Sequence, residues 1–473
     1  HVGLAGGFDG LRQRLPDLAA LGINLLELMP IAAFSGTRNW GYDGVLPFAP
    51  NAAYGSPDAL KQLIDEAHGL GMGVMLDVVY NHFGPEGNHL PRYAARFFRD
   101  DIHTPWGAAI DFAQPAVRQH FEDSAIHWLD EFRFDGLRLD AIHAIHDDAW
   151  LCALPDRLRA RLPGRRVHLI TEDDDNRAHL LRAGFDAQWD DDLHHVLHHF
   201  LTGERHGYYG DYCEDPAAIL ARCLAQGWHY QGQASTHQGR ARGEPTTGLP
   251  PSAFVFFLQN HDQIGNRPLG ERLSVLTLSP ERLRAAVALQ VLSPMVPLLF
   301  MGEELGAQTP FHYFTSHHDP RLTQAVRAGR AREFPGSPDM RAHELPDPDA
   351  PATFEASRPW AERDPAWERY YRQLLTLRIC HLSRRLQGAR SEGARVLGTH
   401  AVRAVWRLAD GAHLIHYINL GDRPCPIPPE HRSTIDSSRS LRFESLPGAL
   451  AQATQGVLPG DCALCLINEA HDA

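Results

Sequence analysis

Short apolar runs alternate with amphipathic stretches through about the first 300 residues, the pattern of strands separated by helices. The clearest unit starts at Ser56-Pro57-Asp58: a capping residue, a proline in the first turn and an early acid predict a helix start. Leu60, Leu63, Ile64 and Ala67 then share one helical face, Gly69 and Gly71 stop the helix, and residues 74–79 predict a buried strand. The order recurs. Leu11, Leu15 and Leu18 precede Gly22 and the apolar segment 23–29; Val117, Phe121, Trp128, Leu129 and Phe132 line a helical face before segment 134–141. Further strands are predicted at 167–171, 185–189, 254–258 and 296–301, and a stub at 1–3 brings the number to eight.

Strands alternating with helices imply a parallel sheet, and eight of them predict a (β/α)8 TIM barrel of the α/β class, with a doubly wound sheet as the alternative. After about Pro365 the texture changes. A helix at 367–386 leads into short alternating segments at 402–406 and 413–418, with turn residues at Gly411, Gly421-Asp422 and 424–429, as in a small antiparallel β domain. Residues 308–365, rich in Pro, His and charge, read as an excursion from the barrel. The predicted organisation is a barrel with insertions over 1–388, truncated at its start, and a C-terminal β-sandwich over 389–473.

Composition narrows the function classes. The 473 residues carry 45 Lys and Arg against 58 Asp and Glu, a formal net charge of −13, which disfavours a nucleic-acid partner and an anionic membrane surface. The longest apolar run, 285–302, is interrupted by Gln290, Ser293, Pro294 and Pro297 and cannot span a bilayer. Seven scattered cysteines suit a reducing compartment, so a cytoplasmic location is expected. Twenty-nine histidines raise the question of metal or sugar binding.

In a barrel, chemistry sits at the C-terminal strand ends. One predicted strand ends Asp77-Val-Val-Tyr-Asn81-His82, and another reads Gly136-Leu-Arg138-Leu-Asp140-Ala-Ile-His143, where alternation puts Arg138 and Asp140 on one face and Leu137 and Leu139 on the other. Others end in Thr171-Glu172-Asp173 and Gln259-Asn260-His261-Asp262-Gln263. Singly, each has a plain structural reading: an ion pair for Arg138 and Asp140, a helix cap for an Asp, a hydrogen-bonded loop residue for each histidine. Jointly, three acids, an arginine and three histidines converging on one barrel mouth point to a polar ligand. Glycosyl transfer needs this set: one carboxylate to attack or stabilise the oxocarbenium-like centre, one of raised pKa to protonate the leaving oxygen, and an arginine to keep the first ionised.

These segments resemble the four short motifs of the α-amylase superfamily, glycoside hydrolase family 13. The resemblance implies Asp140 as nucleophile, Glu172 as general acid/base and Asp262 as transition-state stabiliser. It implies that Arg138, His82, His143 and His261 line the glycone subsite, with Tyr42 of Asn39-Trp-Gly-Tyr-Asp43 as its aromatic platform. It also implies a β-sandwich before the barrel, which this sequence lacks.

More particular stretches resemble the branch of that family that cleaves the α-1,4 bond next to a terminal trehalose. They are 259–267, Trp189-Asp-Asp-Asp-Leu-His-His195, Leu299-Phe-Met-Gly-Glu-Glu304, Thr309-Pro-Phe311 with Tyr313-Phe-Thr315, and 345–354. That likeness implies maltooligosyltrehalose, or another α-glucan, as substrate and adds Asp191, His194 and Gln263 as substrate-binding residues. Branching enzymes of the same family are the nearest alternative, and the continuation Gln263-Ile-Gly-Asn266 argues against them. A non-catalytic carbohydrate- or protein-binding barrel is the alternative of another class; such relatives typically lose an acid. His194/His198 and His195/His199 have a metal-capable spacing, but neither HExxH nor clustered cysteines accompany it. Asp77 and Asn81 fall short of the six to eight ligands calcium takes. No metal and no cofactor is expected.

Overall fold

The computed structural model describes residues 1–104, 107–334, 345–437 and 441–469. Residues 335–344 of the expected excursion and 470–473 of the expected second domain lie outside the described residues. Seven strands form a curled parallel sheet: β1 (Leu25–Leu28), β2 (Gly73–Val78), β3 (Gly136–Leu139), β4 (His168–Thr171), β5 (Ala187–Trp189), β6 (Phe254–Phe257) and β7 (Val296–Leu298). Each pairs in parallel with the next. The architecture is barrel-like, and every long apolar run expected to be a strand is one.

The stub is the exception. Val2–Ala5 is a helical turn, capped by the His1 ring, which accepts from Leu4 N–H at 3.0 Å, and ended by Gly6 at φ 93°. The turn buries Val2 and Leu4 and closes its own backbone bonds, which an extended stub would leave to a neighbouring strand. Among the described residues the sheet therefore has seven strands rather than eight, with β1 and β7 at the two ends of its order.

Helix α1 (Pro57–Gly69) shows why the elements form where they do. Ser56 caps it, accepting from Ala59 N–H at 3.1 Å, a bond worth about 1 kcal/mol. Leu60, Leu63, Ile64 and Ala67 are all buried against the sheet, each larger side chain gaining roughly 1.5–3 kcal/mol. Helix α2 (Asp191–Thr202) follows β5, α3 (Pro280–Leu292) precedes β7, and α4 (Pro365–Leu377) leaves the barrel. Beyond it lies a five-stranded antiparallel sheet, β8 (Arg390–Gly398), β9 (Ala401–Arg407), β10 (His413–Asn419), β11 (Leu441–Glu444) and β12 (Cys462–Asn468), in the order β8-β9-β10-β12-β11. It docks on α3, where the His416 ring meets the Leu292 carbonyl at 3.1 Å and Arg282 bonds Asp461 at 2.7 Å. One continuous apolar core runs from the barrel helices into this sheet.

Candidate active site

Arg138 organises the mouth of the barrel. Strand alternation sends Leu137 and Leu139 into the helix-facing core and Arg138 inward, where it is fully buried with its guanidinium 4.2 Å over the Trp189 ring. Three carboxylates from adjacent strand ends surround it. Nη1 donates to Asp77 (2.7 Å to Oδ2) and to Asp140 Oδ1 (2.9 Å), and Nη2 lies 2.9 Å from Glu172 Oε2. One buried cation thus faces a surplus of negative charge.

Asp140 is oriented on both oxygens, since Asn81 Nδ2 donates to its Oδ2 at 2.9 Å. The residue after it, Ala141, holds a left-handed backbone at φ 41°, which costs a non-glycine residue about 1–3 kcal/mol. That conformation aims its N–H at Glu172 Oε2, 2.9 Å away. Burial raises the Glu172 pKa, Arg138 opposes it, and the Asp140 charge raises it further. Asp262, on the short helix His261–Gly265, is pushed up to about 7 by burial and then by the charges of Glu172 and Asp140. Two of the three expected catalytic acids thus favour holding a proton longer than an ordinary carboxylate does.

Tyr42 is fixed from three sides. Its hydroxyl donates to Asp77 at 2.6 Å, the His82 Nε2–H donates to its carbonyl at 2.9 Å, and the His261 ring stacks on it with centroids 5.0 Å apart. Burial lowers both histidines, His82 to about 4, so both rings are neutral at ordinary pH. Gly265 has a steric reason: a Cβ there would fall 2.0 Å from the Trp40 ring. His143 accepts from Asp174 N–H at 3.4 Å, and Gln263 Oε1 accepts from the Tyr208 hydroxyl at 3.0 Å.

The acidic run before α2 divides by role. Asp190 caps the helix, accepting from Leu193 N–H at 3.1 Å. Asp192 is buried among donors. Asp191 lies beside Glu172, and burial, then that neighbouring charge, raises its pKa well above the usual range. His194 does not open toward a ligand. It is fully buried, donating from Nδ1 to the Leu258 carbonyl at 2.7 Å, so Nε2 is left to accept from the Tyr209 hydroxyl at 3.3 Å. Among the described residues no His, Cys, Asp and Glu cluster could hold a metal ion, and His198 instead pairs with Glu204 at 2.8 Å.

Sequence reasoning passed over several residues of this mouth. Asp77 was seen in its motif but without its place on Arg138; the in-register pairing of Asp77 with Arg138 on β2 and β3 supplies it. Trp189 and Tyr208 had no spacing signal of their own, because their partners come from distant segments.

Comparison with known proteins follows the same lines. The family profile for the alpha amylase catalytic domain matches residues 3–96, and that of a domain of unknown function, DUF3459, matches 389–464. The chain is 44% identical over 394 residues to the malto-oligosyltrehalose trehalohydrolase of Deinococcus radiodurans, covering 80% of this chain and 64% of that protein. It is 42% identical over 403 residues to the enzyme of the same name from Rhizobium sp. strain M-11, covering 80% of this chain and 67% of that one. This chain belongs to the malto-oligosyltrehalose trehalohydrolase family. It spans about two thirds of the length of those relatives. A crystal structure from Salmonella typhimurium, described as of an alpha amylase class protein, superposes on 98% of the chain with a TM-score of 0.89 at 38% identity, this chain covering 80% of it. That structure thus shares with this chain the barrel and the antiparallel sheet that follows it. No helix among the described residues is long and apolar enough to cross a membrane.

Proposed function

We propose that this chain is a retaining glycoside hydrolase that cleaves the α-1,4 bond joining a maltooligosaccharide to a terminal trehalose. The observation that carries the chemistry is Asp140 and Glu172 lying against the two terminal nitrogens of one buried guanidinium. Retaining hydrolases need their carboxyls only about 5–5.5 Å apart, and sharing one guanidinium favours that spacing over the wider gap of inverting enzymes. Arg138 and Asn81 hold both oxygens of Asp140 and aim it, so it attacks the anomeric carbon. Glu172, with its raised pKa, delivers a proton to the departing trehalose oxygen. The resulting glycosyl ester on Asp140 is then hydrolysed by a water that returns its proton to Glu172, and the maltooligosaccharide leaves with its α configuration kept. Asp262 stabilises the oxocarbenium-like transition state. Tyr42, His82, Arg138, His143 and His261 form the glycone subsite. On the leaving-group side, Asp191 and Gln263 bind trehalose hydroxyls, and His194 acts by tethering α2 to the end of β6.

The catalytic unit is residues 1–388, with 389–473 as a second domain. All seven cysteines are free, in keeping with a cytoplasmic setting. The substrate choice rests on the family's curated members. It is tested by incubating the protein with maltotriosyltrehalose and, in parallel, maltopentaose, followed by product chromatography. The expected result is trehalose and maltotriose from the first and little cleavage of the second. Equal cleavage of both, or new α-1,6 branches on amylose, contradicts the reading.

A further inference from the structure

The stretch Leu299-Phe-Met-Gly-Glu-Glu304 has no part in the chemistry above, yet it places a carboxyl deep in the protein. Glu303 is 7% exposed. Its Oε1 accepts from Phe300 N–H at 3.1 Å, the Tyr371 hydroxyl on α4 donates to its Oε2 at 3.3 Å, and the Gln259 side-chain amide bonds it as well. Gln259 is held in turn, its Oε1 accepting from Leu273 N–H at 3.0 Å. Between Gln259, Ser274, Glu303 and Tyr371 lies a cavity of about 20 Å³, room for a single water. Glu303 therefore ties together the end of β6, the loop after β7 and the helix that leaves the barrel.

Gln259 is the residue before Asn260. The Asn260 side chain accepts from Gln263 N–H at 3.0 Å and caps the short helix that carries His261 and Asp262. A displacement of Gln259 is passed directly to that cap. A buried carboxyl carries a desolvation penalty that a leucine of similar volume does not, and the Phe300, Tyr371 and Gln259 donors offset it. We infer that Glu303 is a positioning residue: through Gln259 it fixes the cap at Asn260 and so the placement of Asp262 at the reacting centre. It touches no substrate. The inference rests on the functional reading above for its kinetic test, and on Asp262 alone for its spectroscopic one.

The test compares Glu303→Gln with Glu303→Leu. The glutamine keeps an oxygen for the Phe300 N–H, and its amide nitrogen donates to the Tyr371 hydroxyl, which can accept as well as donate, so its kcat on maltotriosyltrehalose is expected within about 3-fold of the parent. Glu303→Leu is expected to lower kcat by about 30-fold or more with KM within about 2-fold, the melting temperature falling as well because the Phe300, Tyr371 and Gln259 donors are left unpaired. A leucine variant that loses melting temperature and keeps kcat overturns the inference, as does a glutamine variant as slow as the leucine one. If the leucine variant does not fold, Gln259→Leu and Tyr371→Phe replace it. Their effects on kcat should be non-additive in the double variant, and additive effects overturn the inference. A second readout needs no turnover. The Asp262 carboxyl, assigned by its loss in Asp262→Asn, is titrated by carbon NMR. Its midpoint should move by about half a unit or more in Glu303→Leu or the replacement variants, and an unmoved midpoint overturns the inference. Failure of the parent to release trehalose contradicts the functional reading instead, and leaves this titration to decide the positioning role.

Discussion

Two buried arginines, each ringed by acids, behave in opposite ways. Arg242 bonds Asp192 alongside the Tyr212 hydroxyl at 2.6 Å, Asn176 at 3.1 Å and the backbone N–H groups of His229 and Tyr230 at 2.8 and 2.9 Å. Burial pushes the Asp192 pKa up, but Arg242 and these donors overcome it and hold the carboxyl below its ordinary value. Around Arg138 the donors are too few for the acids. Asp77, Asp140 and Glu172 share a single cation, and Asp262 lies close enough to feel Glu172 and Asp140. A buried acid whose lone pairs are all supplied with donors is scaffold. One left in surplus charge keeps a proton it can give away.

Substitutions should separate the two clusters, and the largest effect belongs to Asp140. Asp140→Asn is expected to lower kcat by about 10⁴-fold or more with an unchanged far-ultraviolet spectrum, because the nucleophile is lost and nothing structural replaces it. Hydrolysis near the parental rate would assign the attack elsewhere. Next comes Asp192→Ala, which strips Arg242 of its buried partner, leaves it only the half-exposed Asp174 at 3.5 Å, and should cost about 3 kcal/mol in denaturant unfolding. A loss under about 1 kcal/mol would remove the contrast between the clusters.

Asp262 sharpens the comparison through stability. Its folded pKa of about 7 lies above its ordinary value of 3.8, so the folded state binds more protons than the unfolded one between those limits. The contribution is fully present below the ordinary value and is lost as pH rises to about 7 and beyond. Asp262→Asn removes that loss and should unfold later than the parent at pH 8, by roughly 1–3 kcal/mol, while being inactive. Equal stability of the two at pH 8 and at pH 5 would place Asp262 in a balanced environment like that of Asp192. A smaller effect concerns the proton on Glu172. Its raised pKa predicts that kcat/KM falls on the alkaline side as Glu172 ionises, and Glu172→Gln should abolish that limb on substrates with an activated leaving group.

The periodicity of the chain made most of this fold legible. Seven expected strands stand where their apolar runs lie, and the four α1 positions chosen for burial are all buried. The strand stub failed because three residues at a chain end are governed by local capping from His1 and by Gly6 rather than by sheet pairing. At the mouth, strand alternation was enough to join Arg138 to Asp140. The Asp77 side of the cluster, the tethering of His194 to Leu258 and the link from Glu303 to Gln259 were not readable. Each depends on residues far apart in sequence meeting across a strand register or a helix that no local pattern encodes.

The central claim is that Asp140 and Glu172, held on one guanidinium, act as nucleophile and acid on a trehalose-terminated glucan. Proton NMR during the first minutes of hydrolysis of maltotriosyltrehalose tests it most directly. The account predicts free trehalose together with maltotriose whose new reducing end appears first as the α anomer and only later mutarotates. Maltotriose appearing first as the β anomer would contradict it.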